Sequence, residues 1–281
     1  MNKNLKPFSV VMFIILTTAL CFSVCLIGCS NTVDIEKTIN AALQASQNVR
    51  NYEASVRIDL AMNNRGQNIE VPSTVDMIVF DDPYKVKMLA TSGSTPSLAS
   101  ESYVIKQQDR LITFTKNLNL DTWERRETQN NARSDSNLYN QAHLIELYLQ
   151  NTQNFIFVGT ERINGRKACK LQGVLGGKSL AHAVSTMPIL PGNLFSDPDL
   201  LDDLIDKLEP MPIELWIDEA NLHPVQYKMD AAGTITYILE ESESPLAGTF
   251  TVSKAVLIMT LKKINQATPF DLPPEVSEDP L

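Results

Sequence analysis

The chain has 281 residues, 43% of them hydrophobic, with 24 basic against 33 acidic side chains and a formal charge of −9. A surface of that sign is repelled by phosphate backbones, which excludes nucleic-acid binding as a function class. The length is enough to bury a sizeable apolar core, and four cysteines do not suggest a disulfide scaffold.

The N-terminus, MNKNLKPFSVVMFIILTTALCFSVCLIGC, carries Lys3 and Lys6 and no other charge before Asp34. A basic start followed by an apolar run is the layout of a secretory signal. About 20 apolar residues can also span a bilayer, so an uncleaved anchor competes with that reading. Leu26-Ile27-Gly28-Cys29 decides for a lipoprotein signal, because it has the form of a bacterial lipobox: Leu at −3, a small residue at −1, then the thiol that accepts diacylglycerol. Cys21 follows Leu20 and Cys25 follows Val24, so neither has the small residue that cleavage requires. The expectation is a signal peptide over 1–28, a lipidated Cys29 with a tether over 29–34, and a domain held at the extracytoplasmic face of the cell membrane. Loss of Lys3 and Lys6 brings the charge to −11. Anionic headgroups repel such a chain, so membrane residence rests on the acyl chains.

In DIEKTINAALQASQNVRNY, Ile35, Ile39, Ala42, Leu43 and Val49 fall on one helical face, with Asp34 as N-cap. The period then changes: Ala54, Val56, Ile58, Leu60 and Met62 alternate with polar residues, as in a strand with one face in the core. Strands around Val75–Val79, over 84–90, and at YVIK and LITFTK follow, separated by NNRG, DDP and QQDR. Such short connections predict antiparallel meanders. TSGSTPSLAS (91–100) reads as a flexible loop and 136–150 as a helix. NFIFVGTERINGRKACKLQGVL predicts a hairpin with Asn164-Gly165 in a type I′ turn. A short helix near 178–187, the loop MPILPGN and a helix over 198–209 precede a strand pair over 212–230. GTITYILEES is ambiguous, its β-branched residues arguing against a helix without excluding one, and 248–265 is a long strand before a loose proline-rich tail. The sum is α+β: one domain over 35–276 of about ten antiparallel strands, with three or four short helices on one face, and a free tail over 277–281.

INGRKACKLQG, LWIDEANLHPVQYKMD and the closing FDLPPEV together resemble a Gram-positive lipoprotein family related to the lipoprotein-carrier (LolA/LolB-like) and LppX/LprG-like superfamily. The resemblance runs from about 35 to 276. It implies a strongly curved antiparallel sheet, a half-barrel, closed by helices over an apolar interior that takes acyl chains. One relative, a germination lipoprotein, instead activates a cell-wall amidase, which leaves a scaffold for a cell-wall enzyme as the alternative.

No nucleophile or metal motif supports an enzyme, and no cofactor is expected. His143, His182 and His223 form no ligand spacing, no GxSxG is present, and GVLGGKS lacks the spacing of a P-loop. Cys169 beside Lys170 reads as a small buried hydrophobe. Asp197, Asp199, Asp202, Asp203 and Asp206 lack an EF-hand loop and read as the wet face of a helix. Met62, Met77, Met88, Met229 and Met259 sit on five expected strands. Flexible thioethers suit both a variable cavity and an irregular core. With Val56, Ile58 and Leu60 they form the expected lining for an apolar ligand.

Overall fold

In the computed structural model, residues 33–64, 66–93, 99–108, 110–118, 120, 122–129, 141–176, 180, 207–241 and 250–277 are described. Outside them lie the expected signal and lipobox with Cys29, residues 94–98 of the loop, the start of the 136–150 helix, His182, MPILPGN and the acidic helix up to residue 206. The chain divides between Asp34 and Ile35 into two compact units, and every element below belongs to the second.

Helix α1 (Ile35–Ser46) is followed by six strands in a meander: β1 (Asn51–Asn64), β2 (Gln67–Asp81), β3 (Tyr84–Ser92), β4 (Ser100–Gln107), β5 (Arg110–Asn117) and β6 (Trp123–Gln129). Helix α2 (Gln141–Asn151) leads into β7 (Gln153–Ile163), β8 (Arg166–Leu175), β9 (Met211–Asp218) and β10 (Pro224–Asp230). Helix α3 (Ala232–Glu241), β11 (Phe250–Lys262) and α4 (Pro274–Ser277) complete the order.

Local chemistry builds the hairpins. Asn63 Oδ1 accepts the Gly66 N–H at 2.9 Å and closes the β1–β2 turn. Asn164 and Gly165 take φ of 50° and 80°, the pair of positive values that a type I′ turn requires, so Ile163 faces Arg166 across β7 and β8. A long-range pairing then joins the two meanders. β11 returns antiparallel to β1, with Val56 opposite Met259 and Ile58 opposite Leu257. The result is an eleven-stranded sheet in the order β6-β5-β4-β3-β2-β1-β11-β10-β9-β8-β7. Its end strands do not pair with each other, so it is an open half-barrel.

The register assigns every side chain to a face. Tyr52, Ala54, Val56 and Ile58 of β1 share the inner face with Val79 and Met77 of β2, Leu257 and Met259 of β11, Tyr227 and Met229 of β10, and Leu215 of β9. All of these are buried. The ring of Tyr148 on α2 meets that of Tyr227 edge-on at 5.2 Å, which places α2 over this face. α1 packs beside α2, burying Ala42 and Ser46, and α3 packs on β11.

One open reading is decided and two local expectations are corrected. GTITYILEE is helical: Ile235, Ile238 and Leu239 are buried at i, i+3 and i+4, so packing on β11 overrides the strand propensity of its β-branched residues. The tail is not loose before 277. Ala267 and Val276 are buried, and Val276 packs with Ile112, Phe114 and Leu272 on the sheet's outer face. The helices are therefore not all on one side, since α4 lies opposite α2. Residues 207–209, the described end of the expected acidic helix, are outside any helix.

Candidate functional site

The inner face grades from sealed to accessible along the strands. At the Tyr52 end, Val79, Val86, Val104 and Leu111 are buried. Toward the other end Leu60 and Met62 on β1, Val75 on β2, and Met88 and Ala90 on β3 are only half-buried. The ladder makes neighbours of these residues, with Val56 opposite Val75, Val75 opposite Ala90, and Met77 opposite Met88. Hydroxyls continue the surface outward: Ser73 and Ser92 hydrogen-bond at 2.9 Å, and Ser102 and Thr115 at 3.1 Å. Each pair uses one hydroxyl donor and leaves the other available, and Glu124 stands opposite Thr115 at the outer limit of this flank.

Opposite Tyr52–Met62 charge stands on the other face, whereas the register brings Lys106 of β4 and Glu124 and Arg126 of β6 to the inner one. Lys170 bridges Glu214 at 3.0 Å and Glu161 at 3.4 Å, and Lys228 meets Glu214 at 3.1 Å. Burial raises the Glu214 pKa, but the two ammonium groups outweigh it and hold the carboxyl below its usual value. The Trp216 indole N–H donates to Glu161 at 2.9 Å, and Lys170 lies 4.8 Å over its ring. At the β3–β4 pair, Lys87 meets Glu101 at 3.0 Å and the Tyr103 hydroxyl donates to Glu101 at 2.8 Å. On the inner face of β1, β2 and β3 no Asp, Glu, Lys or Arg stands between Tyr52 and Met62 or opposite them.

The eight residues expected to line an apolar interior thus share one face and differ in access. Met229 and Met259 are 1% and 0% exposed, beneath the helices. Val56, Ile58 and Met77 are also buried, while Leu60, Met62 and Met88 are half-buried. Neither the half-buried hydroxyl flank nor the continuity with β4 and β5 was read from the sequence; Ser and Thr alternation in ESY and LITFT was the available signal.

One buried polar cluster lies elsewhere. Asp218, 1% exposed at the end of β9, accepts through Oδ1 the N–H groups of Ala220 (2.8 Å) and Asn221 (3.3 Å), and its Oδ2 lies 3.6 Å from Arg166. Burial holds the nearby His223 below its usual pKa, Asp218 opposing and Arg166 adding to the effect. These contacts fix the β9–β10 turn. Cys169 is buried and free; burial pushes its thiol up, with the Glu219 charge adding to it. Among the described residues no three acidic, histidine or cysteine side chains could hold a metal, and no helix is long and apolar enough to cross a membrane.

No protein-family model matches the chain, and no curated protein matches its sequence. Solved structures do resemble it in backbone course. The lipoprotein LppX of Mycobacterium tuberculosis is 17% identical, with 84% of this chain and 98% of that one covered at a TM-score of 0.45. LprF of Mycobacterium bovis is 15% identical, covering 85% and 96% at 0.49. A putative outer membrane lipoprotein-sorting protein domain from Vibrio parahaemolyticus is 9% identical, covering 81% and 91% at 0.26. The first belongs to the group that INGRKACKLQG and its companion motifs resemble. At such identities a likeness brings no residue role to this chain.

Proposed function

We propose that the protein is a non-enzymatic, lipid-anchored binding protein of the extracytoplasmic membrane face, and that the half-barrel's inner face holds an acyl chain. The observation that carries this reading is the uncharged apolar surface of Leu60, Met62, Val75, Met88 and Ala90, left half-buried while Tyr52, Val79, Val86, Val104 and Leu111 at the other end of the same face are sealed. Contiguous apolar surface of this kind is what a ligand-binding groove offers, in contrast to apolar residues scattered singly. Burial contributes about 0.8 kcal/mol per CH₂, so a sixteen-carbon chain supplies roughly 10 kcal/mol before ordering costs. Apolar packing on methionine adapts to chain length and unsaturation, and the hydroxyls of Ser73, Ser92, Ser102 and Thr115 offer a polar flank for the ester end.

Native mass spectrometry of the full-length protein, extracted from membranes in mild detergent, tests the reading. We expect a lipid to be retained beyond the anchor itself, and Met88→Asp to release it. A single mass with anchor alone, unchanged when lipid is added, would overturn the proposal.

A further inference from the structure

The two open edges of the half-barrel are chemically unlike. β6 reads WERRETQ and carries Glu124, Arg125, Arg126 and Glu127, charges of the kind that deter pairing with another chain. β7 has none from Gln153 to Thr160. Instead Ile156, Phe157 and Val158 stand 57%, 38% and 50% exposed in an unbroken run. The ladder sets Phe157 opposite Leu171 on the inner face and Ile156 opposite Gln172 on the outer one, so the edge is apolar on both sides. Register breaks between Gln153 and Ile156 and between Phe157 and Gly159 interrupt the ladder that an added strand would need. A rigid partner pressed to one face would leave the other wet. A fluid interface wraps both.

We propose that the β7 edge docks on the phospholipid bilayer, its apolar side chains entering the boundary between headgroups and acyl chains. The proposal rests on the reading of Cys29 as the membrane anchor. Residues 30–34 span at most about 20 Å before α1 begins at Ile35, and α1 packs against β7. The strand that bears the apolar edge therefore touches the first helix of the folded unit. Among the described residues β7 pairs with a strand on one side only, and backbone groups on its other side stay among hydrated headgroups, where they need no internal partner. Docking here orients the half-barrel against the membrane from which an acyl chain would be drawn.

The test uses the full-length chain in phosphatidylcholine–phosphatidylglycerol vesicles, with an environment-sensitive fluorophore on Val158→Cys, on Ile156→Cys, or on Leu120→Cys as the control at an exposed site near β6 (58% exposed). The unsubstituted chain, carried through the same labelling, supplies the blank. Doxyl-labelled lipid is expected to quench the probes at 156 and 158 at least about threefold more than the probe at 120. Equal quenching at all three sites, or none at 156 and 158, overturns the proposal. So does a blue shift at 158 that ignores doxyl lipid and grows with protein concentration, which would assign the edge to a second copy. Incorporation of labelled fatty acid at Cys29 is read separately. Its absence with quenching intact removes the anchor reading and leaves the docking; its presence without quenching does the reverse.

Discussion

Met88 and Met259 carry the same side chain on the same face of one sheet, and their surroundings give them opposite tasks. Met259 is 0% exposed between Val56 and Tyr227, so Met259→Ala leaves a cavity there. The expected loss is about 2–4 kcal/mol, read by denaturant titration. Met88 is half-buried, and Met88→Ala should cost under about 1.5 kcal/mol while weakening acyl-chain retention. Equal stability losses at the two sites would place both in packed core. In the sequence these residues were indistinguishable, each an alternating position with aliphatic neighbours, because access depends on what the helices cover. Glu53 shows a second residue-scale effect. Its Oε1 accepts from Lys263 Nζ (2.8 Å) and from the Thr268 hydroxyl (2.8 Å), tying β1 to the segment after β11. The Lys263 ammonium, against a smaller opposing effect of burial, holds the carboxyl below its ordinary 4.5. A carboxyl depressed in the folded state contributes stability above its unfolded value and loses it as pH falls through the folded one. The melting temperature should therefore drop with acidification below about pH 4.5 less steeply in Glu53→Gln than in the parent chain.

Elements whose signals are local were legible. The Asn164-Gly165 turn needed only two residues that tolerate positive φ, and β1 needed only its alternation. Gly165 sits at φ +80°, and a methyl group added to its Cα would meet nothing within 4 Å, so Gly165→Ala encounters backbone strain alone. It should cost about 1 kcal/mol, measured by thermal or chemical unfolding, with no change in lipid retention. Helix α3 was not legible, because Thr234, Ile235 and Thr236 favour strands and the decisive contacts lie on β11. Its one local signal was Asp230, whose Oδ1 accepts the Ala232 N–H at 3.2 Å. The C-terminal segment misled for the opposite reason: prolines at 273 and 274 read as irregular chain, yet Phe270 meets Phe80 and Tyr103, each at 6.0 Å, and Val276 closes over Ile112 and Phe114. Val276→Ala should lower stability by about 1–2 kcal/mol. Because Trp123 packs against the same cluster, its emission offers a second readout.

At the scale of the molecule, anchor, half-barrel and apolar face make one proposal. Replacing Cys29 by Ser should abolish labelled fatty-acid incorporation and leave the precursor unprocessed. Unchanged incorporation would remove the membrane placement. The hydrophobic period of β1 and the tight hairpins were determined by the sequence itself, since each depends on residues two to four apart. Only the tertiary structure decided that β11 returns to β1, that one open edge is charged and the other apolar, and which methionines stay within reach of a ligand. Those outcomes depend on pairing residues some two hundred positions apart, such as Glu53 with Lys262, and on where helices lie across a finished sheet. A linear pattern records which face a side chain takes, but not what eventually covers that face.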